Sequence, residues 1–143
     1  MDIRALTPTY AVSPQISPSD LHAIKAAGFT TVICNRPDGE IPPDHYAQVM
    51  QAAAQAAGLD FVINPVISGA LTLDNVTAQG AAIAAAQGPV LAYCASGNRS
   101  SVVWALSQAG SRPTDDLIAI PARFGYQLEV WRGQIDALAS QNG

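Results

Sequence analysis

Lysine is almost missing from this chain. Lys25 is the only one, and the seven lysines and arginines together face eleven acidic residues, for a net charge of −4 over 143 residues. No basic stripe is available to track a phosphodiester backbone, so nucleic acid is not expected as a partner. Cysteine and histidine are equally scarce. Two cysteines, Cys34 and Cys94, make no disulfide framework, and two histidines, His22 and His45, are too few and too far apart for a zinc site. Neither a structural metal nor a cofactor is expected. No apolar run approaches the roughly 18 residues of a membrane span. Met1-Asp2-Ile3-Arg4 lacks the basic and apolar regions of a secretory leader. The expectation is a cytoplasmic protein without a membrane partner.

Charge is low at 13% while hydrophobic residues reach 49%, which excludes a disordered polyelectrolyte. The length suits a single domain over 1–143 with a substantial core, and no repeat or linker divides it. Composition leaves the oligomeric state open.

Apolar β-branched runs alternate with helical patterns. Tyr10-Ala11-Val12 reads as a strand, followed by a helix with Ser17 as N-cap, Pro18 at its first position and Gly28 as its stop. Phe29 to Cys34 is a second strand, and Pro42-Pro43 opens a helix that runs to about Ala57. Asp60 to Asn64 is a third strand, and a helix follows from about Thr72 to Gln87. Val90 to Tyr93 is the fourth strand. Helices are expected over Ser101–Ala109, from Pro113 to Arg123 and over Leu128–Ala139, with Trp104 and Trp131 in the core. This order predicts an α/β fold: a central, mostly parallel sheet of four to five strands flanked by helices, with ligands at the carboxyl ends of the strands.

Two such ends carry chemistry. After Val90-Leu91-Ala92-Tyr93 the chain reads Cys94-Ala95-Ser96-Gly97-Asn98-Arg99-Ser100, in the pattern C-x-x-G-x-R-S. A glycine lets backbone N–H groups converge, the next helix adds its N-terminal amides, and an arginine grips an anion through two N–H groups. The same field stabilises a thiolate, so Cys94 is a candidate nucleophile of lowered pKa in an oxyanion cradle. The other end holds Cys34 and the loop Asn35-Arg36-Pro37-Asp38-Gly39-Glu40, where Arg36 either adds positive potential to the pocket or pairs with Glu40. Tyr126 and Tyr46 are candidates to line a cleft or to pack a helix.

The stretches Val12 to Leu21, Ala27 to Glu40 and Gly88 to Ser100, with Trp104, resemble the compact dual-specificity protein tyrosine phosphatases. They are more closely similar to a bacterial family of phosphatase-like domains, DUF442, found also in β-lactamase hydrolase-like proteins. The resemblance implies a tyrosine-phosphatase-like fold and a small phosphorylated or other oxyanionic substrate. In it Cys94 attacks phosphorus, Arg99 clamps the equatorial oxygens, and the N–H groups of Ala95, Ser96, Gly97, Asn98 and Arg99 form the nest. Ser100 corresponds to the hydroxyl that hydrogen-bonds the cysteine sulfur and helps it leave. Cys34 corresponds to a possible redox partner that protects the nucleophile by a reversible disulfide.

The chain departs from the phosphatase pattern in three respects. Four residues rather than five separate Cys94 from Arg99, Tyr93 replaces a histidine, and Ser68 stands where a general-acid aspartate aligns. Asp38, and less directly Asp74, are the candidates to replace that acid. The seven-residue loop also resembles that of single-domain rhodaneses, which implies persulfide transfer on Cys94 as an alternative to phosphoryl chemistry. A non-catalytic oxyanion- or partner-binding module is the third reading.

Overall fold

In the computed structural model, which describes residues 1–142, the sequence pattern becomes a five-stranded sheet. The strands are β1 (Arg4–Thr7), β2 (Tyr10–Ser13), β3 (Thr31–Cys34), β4 (Asp60–Ile63) and β5 (Val90–Tyr93), and the helices are α1 (Leu21–Ala26), α2 (Ala47–Ala56), α3 (Leu73–Ala85), α4 (Asn98–Ser107), α5 (Thr114–Ala122) and α6 (Arg132–Asn142). The spatial order is β1-β2-β5-β3-β4. β5 pairs in parallel with both β2 and β3, and β3 pairs in parallel with β4. β1 joins β2 by an antiparallel hairpin and is absent from the sequence reading. Its four residues include Arg4 and carry no alternation long enough to register as a strand.

The pleat sorts side chains to two cores. Tyr10, Val12, Ile33, Val90 and Ala92 pack on one face with α4 and its neighbours, while Ala11, Val32, Cys34, Leu91 and Tyr93 pack on the other with α1 and α2. Trp104 is buried and stacks on Tyr10 with ring centroids 5.8 Å apart. Trp131, expected in the core, is only half-buried and lies at its margin. The chain reaches β3 and β4, then returns through α3 to insert β5 between β2 and β3, so Cys94 leaves the sheet near its centre. Asn35 and Asn64 leave β3 and β4 beside it.

Local chemistry explains most element ends. Ser17, the expected N-cap, forms a capping box with Asp20, its N–H donating to Asp20 Oδ2 at 2.9 Å, though a 3-10 turn at Pro18–Asp20 precedes α1. Pro42-Pro43 likewise opens a 3-10 turn, and α2 begins only at Ala47. Thr72 caps α3 by accepting the Asn75 N–H at 3.2 Å. The helix after Cys94 starts at Asn98, three residues before the expected Ser101.

Candidate active site

The Cys94 loop is shaped by one peptide unit held at both ends. The Ser96 carbonyl accepts the Tyr126 hydroxyl at 2.7 Å, and the Gly97 N–H donates to Cys94 Sγ at 3.1 Å. In a trans peptide C=O and N–H point in opposite directions, so drawing the carbonyl outward to Tyr126 turns the N–H inward to the sulfur. Gly97 has φ +98°, and a Cβ there would lie 2.2 Å from Tyr126 Oη. Both the backbone angle and the close approach therefore require glycine. Arg4 completes this support: its guanidinium donates to the Tyr126 hydroxyl and lies over the ring.

Around the sulfur the amides divide. The Asn98 N–H, expected in the nest, donates instead to Ser96 Oγ at 3.2 Å, and the Gly97 N–H is on the sulfur. The amides of Ala95, Ser96, Arg99 and Ser100 find no acceptor among the described residues. Arg99 and Ser100 belong to the unpaired first turn of α4, where amides and helix dipole favour an anion. Cys94 is buried, its N–H donating to the Ser13 carbonyl at 3.4 Å.

Arg99 is oriented from the β3 side. Its Nη1 donates to Glu40 Oε2 and to the Val66 carbonyl, each at 2.8 Å, and its Nη2 donates to Glu40 Oε1 at 2.8 Å. Of five N–H groups, the Nε–H and one Nη2–H are left for another ligand. The Glu40 hydrogen bonds, with a contribution from Cys94, raise the Arg99 pKa further. Arg36 also reaches Glu40, through Nε–Oε1 at 3.2 Å, and donates to Gln15 Oε1 at 3.3 Å. Arg99 first, and then Arg36, lower the Glu40 pKa. Two guanidinium groups sharing one carboxylate leave net positive charge beside the loop. Glu40 entered the sequence reading only as a partner for Arg36; its fork on Arg99 spans fifty-nine positions of chain and has no local signature.

Behind the loop lies a buried amide network. The Ser100 hydroxyl, expected to face the sulfur, donates to Asn35 Oδ1 at 2.9 Å, because Asn35 leaves β3 at that level with an open acceptor. Gln79 from α3 donates to Asn35 Oδ1 at 3.2 Å and to Tyr10 Oη at 3.1 Å, and accepts from Asn35 and Asn64 at 2.9 Å each. Tyr10 in turn donates to the Ser100 carbonyl at 2.8 Å. With Gln79, Asn35 and Ser100 all fully buried, these bonds satisfy groups that would otherwise be costly to desolvate. They also tie the first turn of α4 to three strands and α3.

Asp38 and Cys34 each engage another group. Asp38, the expected acid, has its Oδ1 accepting the Ala47 N–H at 2.8 Å, capping α2 from outside the helix. Cys34 makes no disulfide, and both thiols are free. The pleat sends Cys34 to the α1–α2 core opposite Tyr93, where its thiol donates to the Arg36 carbonyl at 3.4 Å and burial raises its pKa. Asp74 is exposed in the first turn of α3, while Ser68 lines a cavity shared with Arg99. No described helix is long and apolar enough to cross a membrane.

Comparison with known proteins identifies the family and the fold. Residues 2–111 match the family model of the β-lactamase hydrolase-like protein, phosphatase-like domain, a span that includes the Cys94 loop and Glu40 but not Tyr126. A β-lactamase hydrolase-like protein of Xylella fastidiosa (strain Temecula1) is 33% identical over 130 residues, covering 90% of this chain and 30% of the relative. The chain thus spans less than a third of the length of the curated relatives it matches. A structure from Neisseria meningitidis Z2491, described as a candidate phosphatase, superposes with a TM-score of 0.81 at 31% identity, covering 96% of this chain and 99% of that one. A DUF442 structure from Shewanella putrefaciens CN-32 gives a TM-score of 0.75 at 20% identity, covering 99% and 93%, a likeness of fold. This chain belongs to the family of phosphatase-like domains of the β-lactamase hydrolase-like proteins.

Proposed function

We propose that this domain hydrolyses phosphate monoesters with Cys94 as nucleophile. The observation that carries the reading is the orientation of Arg99. Glu40 and Val66 hold one edge of its guanidinium, leaving two N–H groups for an oxyanion beside a sulfur that already receives the Gly97 N–H. The Cys94 thiolate attacks phosphorus opposite the ester oxygen; the S–P bond forms as the P–O bond breaks. Charge spread over the three equatorial oxygens is met by the loop amides and Arg99. Water then attacks the phosphocysteine, releasing phosphate and restoring the thiolate.

The leaving oxygen departs with the bonding electron pair and takes its proton from solvent. Glu40 is unsuited to supply it, because Arg99 and Arg36 favour its ionised form. Asp38 is engaged by α2. A positioned acid typically contributes about 10²–10⁴-fold, so esters of acidic phenols should turn over much faster than those of aliphatic alcohols. The same lack of an acid favours, as a second reading, persulfide transfer through Cys94, which needs the thiolate and amides alone.

Turnover of 4-nitrophenyl phosphate tests the first reading. It should be inhibited by vanadate, abolished in Cys94→Ser and nearly abolished in Arg99→Ala. Turnover retained in Cys94→Ser refutes it. Cys94-dependent thiocyanate formation from thiosulfate and cyanide, without phosphatase turnover, would establish the second.

A further inference from the structure

A cavity of about 360 Å³ opens beside the anion loop at Asn98 and Arg99, walled by Ile67, Leu71, Val102 and Trp131. A second, of about 280 Å³, continues from the shared residues Leu71, Trp131 and Gln134 towards Leu73, Val76 and Leu138. Each is near the lower end of the roughly 300–1,000 Å³ typical of ligand pockets. Across both linings Arg99 is the only charged residue; the remaining polar groups are neutral. The trough therefore has a cation and the neutral polar groups of Ser68, Asn98 and Gln134 at one end, and a mainly apolar lining of Leu73, Val76, Leu106 and Leu138 towards the other. Leu73 at the far end is 65% exposed and Ile67 beside the loop is 59% exposed, so large apolar surfaces flank the trough.

This charge distribution fits an amphiphile with an anionic head. A nucleotide or a sugar phosphate reaching the far half would bring hydroxyls and ring nitrogens against Leu73, Val76, Leu106 and Leu138, leaving them short of partners. An extended hydrocarbon group on the ester side would instead remove apolar surface on both molecules from water. We infer that the trough is a subsite for an extended hydrocarbon group on the substrate, making the substrate class phosphate monoesters with an apolar, chain-like ester moiety. This inference rests on the proposed phosphatase reading, since the head group is placed at Arg99.

Binding of n-alkylphosphonates to the Cys94→Ser protein tests it without turnover, because their P–C bond is not hydrolysed. From methyl- to octylphosphonate the dissociation constant should fall about two- to fourfold per methylene, the upper figure being full burial of each group. Leu73→Asp, at an exposed position that does not endanger the fold, should abolish the gain for the longest chains. Trp131→Ala should flatten the dependence from the middle of the series. A companion series of 4-n-alkylphenyl phosphates, whose leaving groups differ little in acidity, should give KM values falling in the same order on the unsubstituted protein. Methylphosphonate binding with no dependence on chain length overturns the subsite alone and leaves the trough to another occupant, such as a polypeptide segment. Failure of every phosphonate and of inorganic phosphate to bind overturns the anion-site reading and the subsite together.

Discussion

Replacing Gly97 by alanine should damage the loop through Tyr126, and the two residues should be energetically coupled. An alanine at φ +98° pays roughly 1–2 kcal/mol for the left-handed backbone. Its Cβ would also fall 2.2 Å from Tyr126 Oη, forcing a buried ring away from its bond to the Ser96 carbonyl and from Arg4. Losing that hydrogen bond costs about 1 kcal/mol and losing the cation–π contact about 0.5–1 kcal/mol. Gly97→Ala should therefore destabilise the protein by about 2–4 kcal/mol. Tyr126→Phe alone should cost about 1–2 kcal/mol, since the Ser96 carbonyl and Arg4 lose their partner. In the double variant the hydroxyl that alanine strikes is gone, leaving the backbone strain and a tight contact of 2.9 Å to the ring carbon. Urea denaturation of the four proteins should give a double-variant cost below the sum of the singles by about 1 kcal/mol or more. Additivity within about 0.5 kcal/mol would refute the claim that Tyr126 and Gly97 hold one peptide between them.

Glu40→Gln should lower kcat/KM for an aryl phosphate by about ten- to a hundredfold through misorientation of Arg99, measured by steady-state kinetics. In the unsubstituted protein the depressed Glu40 pKa adds stability that is present above the ordinary glutamate pKa and is lost as pH falls through the lowered folded value. Denaturation at successive pH values should show this acid loss reduced in Glu40→Gln. Asp38→Ala should cost about 0.5–2 kcal/mol by uncapping α2 and, with that carboxylate engaged by the helix, should leave the shape of the pH–rate profile unchanged. Because burial raises the Cys34 pKa, the unfolded chain ionises first, and stability should fall as pH rises through and beyond the free-thiol range, a dependence that Cys34→Ala should remove. Gln79→Leu, which leaves Asn35, Asn64 and Tyr10 short of partners, should cost several kcal/mol, at about 1–3 for each orphaned group, read by urea denaturation.

What could be read from the chain was what lies close together along it. The Cys94 loop is contiguous, so its nucleophile, glycine and arginine were visible at their spacing, and the alternation of β-branched runs with helices predicted the parallel sheet. The N-cap at Ser17 was equally local. Gly97 was legible as a turn glycine, but the tyrosine that makes it obligatory lies twenty-nine positions further on and beyond the matched family region. Glu40 was hidden because a carboxylate's partner depends on which strands are neighbours: only the insertion of β5 beside β3 brings Arg99 to it. The cap that Asp38 makes on α2 was hidden for the same reason, since tertiary packing brings the end of that helix to it. Ser100 was read from family likeness, and the acceptor that redirects its hydroxyl, Asn35, carries no signal of its own outside the folded network.

The central claim is that Cys94 carries the phosphoryl group between ester and water. Rapid acid quenching during turnover of a radiolabelled aryl phosphate, followed by peptide mapping, measures this directly. The account predicts label bound covalently through sulfur on the peptide containing Cys94, formed and consumed at rates consistent with turnover and absent in Cys94→Ser. Turnover without any labelled intermediate, or turnover that persists in Cys94→Ser, would contradict it.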